Sequence, residues 1–224
     1  ISSVMTVKSK EGDAQKVRGS LGIGLLTSRF HLEGPLKKGK TTFVMGARTS
    51  YSDWLLKKLP KSSYYSGGSA SFTDANLGIT HRFNANNTLQ ASGYFAMDRF
   101  ALTTDTTFNY RNINASLIFR HKDADGGSLK ASVGYDHFSN RVGIHDWDAA
   151  AYDLDTYIRE GFFRMTRVLP AGRHSLSYGL DVVGYALDPG IMNPYGEYSY
   201  VIARKLDREY AVEPAAFVSD NWQM

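Results

Sequence analysis

The sequence predicts an all-β protein, an antiparallel up-and-down transmembrane β-barrel segment of about ten to eleven strands with short turns at one end and longer loops at the other. Three observations predict it. Apolar and polar residues alternate with period two over long stretches, as a strand with one apolar face and one wet face requires. Joints rich in Gly, Asn and Asp recur at regular spacing. No run approaches the ~18 consecutive apolar residues of a spanning helix, so a chain that crosses a bilayer must do so as paired strands. The composition agrees: 21 Gly, 14 Tyr and 12 Phe among 224 residues suit strands and turns. The mean hydropathy of −0.33 resembles that of a water-soluble protein, but a barrel that alternates lipid-facing and lumen-facing residues averages to the same value.

Taken in order, strands are expected at 1–10, 15–25, 27–36, 41–52, 70–83, 88–102, 107–122, 128–144, 152–169, 174–187 and 211–224, with ends good to about 2–4 residues. The alternation is plainest in four of them. Leu89, Ala91, Gly93, Phe95 and Met97 oppose Gln90, Ser92, Tyr94, Ala96 and Asp98. Ile113, Ala115, Leu117 and Phe119 oppose Asn112, Asn114, Ser116 and Arg120. Leu129, Ala131, Val133 and Tyr135 oppose Lys130, Ser132, Gly134 and Asp136. Leu176, Tyr178, Leu180, Val182, Gly184 and Ala186 oppose Ser175, Ser177, Gly179, Asp181, Val183 and Tyr185. Short turns are expected at 37–40, 84–87, 123–127 and 170–173, where Gly, Asn and Asp supply positive φ. Longer joints fall near 53–70, 103–107, 145–151 and 188–209. This alternation of short and long connections is the outer-membrane arrangement, with the short turns periplasmic. Tyr51, Trp54, Phe100, Tyr152 and Trp222 stand near strand ends, where interfacial aromatics belong. The segment 54–60 reads as a short amphipathic turn stopped by Pro60.

Composition excludes several classes. The net charge of +4 has no clustered run, so nucleic acid is not expected as a partner. The absence of Cys rules out disulfides and thiolate metal sites and suits an exported chain. No export signal follows Ile1, so Ile1 is not expected to be the first residue of the gene product. The run at 123–127 faintly resembles a calcium loop but lacks the closing Glu, and reads as a hairpin turn. His145, Asp146 and Asp148 have no second His at ligand spacing. The glycines at 19, 22 and 24 precede no helix, and neither a nucleophile elbow nor a zinc-protease motif is present. No catalytic residue, metal ligand or cofactor is expected.

Several stretches resemble TonB-dependent outer-membrane receptors. Ser3-Val4-Met5-Thr6-Val7-Lys8-Ser9-Lys10-Glu11-Gly12 looks like the strand that leaves the plug and opens the barrel. The run from Gly22 to Leu36, with Ser28-Arg29 and Glu33-Gly34-Pro35, resembles the next hairpin, and Arg48-Thr49-Ser50-Tyr51 the strand after it. Asn87-Thr88-Leu89, Ser92-Gly93-Tyr94, Asp98-Arg99-Phe100, Asp188-Pro189-Gly190 and Ala216 to Trp222 continue the likeness. The resemblance implies a partial barrel domain over 1–224, from a barrel of about 22 strands, with the plug and the second half of the barrel elsewhere. It also implies residence in the bacterial outer membrane and energy-coupled import of a metal chelate, vitamin or oligosaccharide. The implied partners are outer-membrane lipid, the plug and remaining strands, TonB acting through them, the solute, and a surface lipoprotein. Loop aromatics and polar groups are the candidate solute contacts, because aromatic faces stack on sugars and planar chelates: Tyr64, Tyr65, His145, Asp146, Trp147, Asp148, Tyr195, Tyr198 and Tyr200. The rival readings are a small self-contained outer-membrane barrel acting as a hydrolase, and a passive binding or structural barrel.

Overall fold

The computed structural model describes residues 10–60, 63, 68–101, 106–145 and 148–223. They form an antiparallel sheet of 11 strands in which sequence neighbours pair in turn. The strands are β1 (Arg18–Ile23), β2 (Thr27–Lys37), β3 (Thr41–Ser50), β4 (Ser69–Arg82), β5 (Asn87–Ala101), β6 (Thr106–Lys122), β7 (Ser128–Ile144), β8 (Tyr152–Ala171), β9 (His174–Pro194), β10 (Arg204–Lys205) and β11 (Glu209–Trp222). Both β10 and β11 pair with β9, end to end along its length. One short helix, α1 (Asp53–Leu56), follows β3. The up-and-down order is the one the alternating joints require. The expected strand at 1–10 lies almost wholly outside the described residues.

The connections differ from expectation in two places. Three short turns do use positive φ, each at glycine: Gly39, Gly126 and Gly172. The fourth, after β4, does not. Asn84 instead accepts hydrogen bonds from the backbone N–H groups of Asn86 (2.9 Å) and Asn87 (2.8 Å), so a side chain replaces a left-handed residue. The second difference is at 188–194. A longer joint is expected from 188 to 209, yet β9 runs on through Pro189 to Pro194. The register against β8 slips between Asp155 and Tyr157, which face Ile191 and Asp188, so β9 carries one extra residue there. A bulge accommodates a proline that a regular ladder would reject. Near Pro60, α1 begins and ends earlier than the expected turn, with Ser52 at its N-terminal boundary.

Register puts the alternating apolar stripes of successive strands on one face. A single row runs through Gly34, Phe43, Ile79, Ala91, Leu117, Val133, Phe163, Val182 and Pro214. The opposite face carries Asn76, Tyr94, Asn114, Asp136, Glu160 and Tyr185 in one row. The apolar face is the more exposed one: Ile113, Ala115 and Leu117 are open whereas Asn112, Asn114 and Ser116 are half-buried. Such asymmetry is that of a curved sheet with its apolar side convex. The polar face is knitted by cross-strand pairs, among them Arg48–Asp74 at 2.7 Å, Ser92–Ser116 at 2.8 Å, Asn114–Asp136 at 2.5 Å and Arg164–Asp181 at 2.9 Å. Phe138, Ile158 and Leu187 are exceptions, forming an apolar row on that face.

The hairpins also step. Thr41, His81, Leu89, Phe119, Ala131 and Met165 stand opposite one another in one row. Measured from that row, the last pairs before the four short turns are Thr41 itself, Arg82 one residue on, Lys122 three on and Ala171 six on. Six residues over six strand spacings is one residue per strand. With ~3.3 Å of rise per residue and ~4.8 Å between strands, turns lying at one level require a strand tilt of about 35°. The tilt falls in the range of closed barrels.

Ahead of β1, Asp13 accepts hydrogen bonds from the N–H groups of Gln15 (2.8 Å) and Lys16 (3.1 Å) and pairs with Arg18 at 2.8 Å. The Gln15 and Lys16 amides, then Arg18, hold its carboxyl below the ordinary value. A folded-state pKa below the unfolded one contributes stability above the ordinary carboxylate range and loses it as pH falls through the depressed value. The Gln15 and Lys16 amide resonances are therefore expected to keep their native shifts down to a pH below the usual Asp titration, and D13N abolishes that titration.

Candidate functional site

The long-loop end of β7, β8 and β9 brings together the described candidate residues. β7 ends at Ile144, and His145 continues its apolar-face phase into the loop. Its Nε2 lies 3.0 Å from Asp153 Oδ1 at the start of β8. Its ring stacks on Tyr195, with centroids 3.7 Å apart and planes 14° from parallel. Tyr195 is held there by its own N–H, which donates to the Ala151 carbonyl at 2.9 Å, and Ser199 Oγ donates to the same carbonyl at 2.6 Å. Tyr200 N–H donates to Ala149 O at 2.9 Å. The loop after β9 thus folds back over the loop before β8. Tyr198 and Tyr200 leave their rings largely in solvent, at 72% and 86% exposure. Asp148 opens a single 3-10 turn, Asp148–Ala150. Tyr64, Tyr65, Asp146 and Trp147 lie outside the described residues.

A charged framework supports these loops. Arg141 makes two hydrogen bonds to Asp155, Nε to Oδ1 at 2.7 Å and Nη2 to Oδ2 at 3.1 Å, and reaches Asp153 at 4.0 Å. Asp188, almost wholly enclosed, accepts from Arg208 Nε (2.9 Å) and Arg159 Nη1 (2.9 Å). Sequence reading did not find this framework. Arg141, Asp155, Arg159 and Asp188 look like any charged residues in a strand until register places Arg141 opposite Asp155 and Arg159 diagonal to Asp188.

What this arrangement offers chemically is recognition. His145 and Tyr195 form a fixed ring stack, and the exposed Tyr198 and Tyr200 follow in the same loop, aromatic surfaces of the kind that stack on sugars and planar ligands. Among the described residues no group of three or more His, Asp or Glu is placed to hold a metal ion. Replacing Asp155 by Ala leaves Arg141 without its two-point partner. D155A is expected to lower unfolding stability by about 1–2 kcal/mol, modest because Arg141 is half-exposed, and urea titration in detergent micelles measures it.

No protein-family model, no curated protein and no solved structure matches this chain.

Proposed function

We propose that this chain is the wall of an outer-membrane β-barrel belonging to a TonB-dependent receptor, which imports a scarce solute such as a metal chelate, vitamin or oligosaccharide. The observation that carries the membrane reading is the continuous exposed apolar face. At the tilt of about 35°, its apolar stretch spans from about 16 Å on β6 (Ile113 to Phe119) to about 27 Å on β9 (Leu176 to Ala186), bracketing the ~25 Å lipid-facing band of such barrels. Water would penalise a face this wide and this apolar on a soluble protein. The polar face, with its ion pairs and amides, suits a wetted interior.

The receptor reading adds the motif resemblance and the long-loop end, where stacked and exposed aromatics offer a solute surface. In this reading the wall satisfies its backbone groups within lipid, the loops bind solute, and energy coupling acts through a plug outside this chain. Two measurements test it. Single-cysteine fluorophores at Leu117 are quenched by brominated lipid while those at Ser116 are not, and equal quenching would overturn the membrane reading. Cells carrying the full-length protein accumulate solute only when TonB is present. Accumulation undiminished in its absence would overturn the receptor reading.

A further inference from the structure

Arginines on the apolar face gather at one level. Arg99 (β5), Arg111 (β6), Arg141 (β7) and Arg159 (β8) all share the face of Leu117, as the pairs Arg99↔Asn109, Asn109↔Arg141, Met97↔Arg111 and His137↔Arg159 show. All four lie toward the long-loop ends of their strands, beyond the alternating apolar run of that face. Arg99 lies two residues past Met97, and Arg111 two past Ile113. The acids of that face on these strands are Asp155, opposite Arg141 in the register row of Arg99 and bound to Arg141, and Asp153 two residues beyond it. Arg99 and Arg111 are exposed and bond to no carboxylate among the described residues. They are diagonal neighbours across β5 and β6, about 7–8 Å apart at the backbone.

Besides the hollow that Arg99 lines with Phe72 and Phe100, two others lie nearby. One, about 400 Å³ and almost wholly apolar, is floored by Ala47, Ala75 and Gly93 and walled by Phe30, Leu77 and Phe95. Small residues in one patch leave room there for a hydrocarbon chain. The other, about 360 Å³ and half polar, lies between Arg111 and Arg141, with Met97, Asn109, Tyr157 and the carboxylate of Asp155 around it, Asp155 being taken up by its two hydrogen bonds from Arg141. Phe95 borders the first hollow and Met97 the second, consecutive on the same face of β5. Strand tilt aligns the two. A line perpendicular to the level of the short turns drifts toward higher-numbered strands as it rises, so ~10 Å above Ala75 it meets Met97, Arg99 and Arg111.

We propose that this face binds one phosphate-bearing lipid, its acyl chain in the apolar hollow and its headgroup phosphate held by Arg99 and Arg111 beside Arg141. The inference rests on the membrane reading above. Charge complementarity selects the occupant: planar guanidiniums without acid partners, directly above an apolar slot, fit a phosphate joined to a hydrocarbon chain. A zwitterionic lipid brings its own cation, which these arginines repel.

The test uses the full-length protein in neutral detergent micelles, with retained lipid counted by native mass spectrometry. The probes are dioleoylphosphatidylglycerol, dioleoylphosphatidylcholine and inorganic phosphate. The phosphatidylglycerol is expected to bind about tenfold more tightly than the phosphatidylcholine, and R99Q/R111Q to erase that difference while R99K/R111K keeps part of it. If R99Q/R111Q fails to fold, raising the salt concentration on the native protein makes the same comparison, since screening weakens an exposed phosphate contact and spares the acyl contact. Equal binding of both lipids overturns the headgroup site and leaves the membrane reading standing. Failure of both lipids to bind overturns the membrane reading itself. Displacement of phosphatidylglycerol by inorganic phosphate alone shows a free-anion site and overturns the lipid assignment.

Discussion

If the apolar face meets lipid, as proposed, Leu117→Arg is expected to destabilise the folded sheet by about 2–4 kcal/mol, the cost of a cation near the middle of such a surface. Leu117 is 47% exposed and flanked in its row by Ala91 and Val133, midway along the apolar stretch of β6. Its neighbour Ser116 points to the other face and shares a 2.8 Å hydrogen bond with Ser92. Ser116→Arg loses that bond but reaches water, so its cost is expected at about 1 kcal/mol. The pair of variants differs by one position and one face. On a soluble sheet the order is different, because an exposed Leu exchanged for Arg stays within about 0.5 kcal/mol. Equilibrium unfolding in micelles or vesicles measures both, and near-equal costs would contradict a lipid-facing surface.

Gly179→Val and Gly134→Val are expected to cost about 1–3 kcal/mol each, through overpacking. Both glycines lie on the polar face opposite an aromatic partner: Gly179 faces Phe217, and Gly134 faces Phe162. A Cβ on Gly179 would collide with the Met165 carbonyl oxygen and come within 2.6 Å of the Phe217 ring. On Gly134 it would meet the Phe162 ring and approach the Ala115 carbonyl to 3.0 Å. The rings lie over the missing side chains, a device by which an aromatic covers a glycine in a coiled sheet. The Phe162 ring is held in turn by the Arg164 guanidinium, 4.5 Å from its centroid. Backbone carbonyls do not move aside, so relief must come from a shift of register or twist. Gly161→Ala is the counterpart. Nothing lies within 4 Å of its added Cβ, so that variant is expected to be neutral or slightly stabilising. Heat-dependent gel mobility ranks all three, and an intolerant Gly161 together with tolerant Gly134 and Gly179 would contradict the assignment of faces.

Much of the sheet was legible in the residues. Strict alternation in β5, β6, β7 and β9 marks both the strands and their faces, because a period of two has only one geometric realisation and a slip by one residue would send every apolar side chain to the wet side. The strand expected at 107–122 is β6 at Thr106–Lys122, and that at 128–144 is β7 at Ser128–Ile144. The outer part of β9 was not legible. Asp188-Pro189-Gly190 carries a local turn signal, and a bulge overrides it by giving the proline a place where no ladder hydrogen bond is needed. The candidate site was legible only in part. His145 and Tyr195 stand out as loop residues, but their stacking depends on Ala151 accepting bonds from a segment more than forty residues away, which no local pattern encodes.

What the sequence determined by itself is the alternation, hence strands, and the spacing of short and long joints, hence an up-and-down order. These are local properties, set by which side chains tolerate water and which residues tolerate tight turns. Only the tertiary structure decided the register, and register is relational. It brings Arg141 to Asp155 and both Arg159 and Arg208 to Asp188, tilts the strands by stepping the hairpins one residue at a time, and lines up Arg99 and Arg111 above an apolar hollow. A charge in a strand has no assigned partner until its neighbours are in place, because pairing acts across strands and the chain's own order says nothing about height.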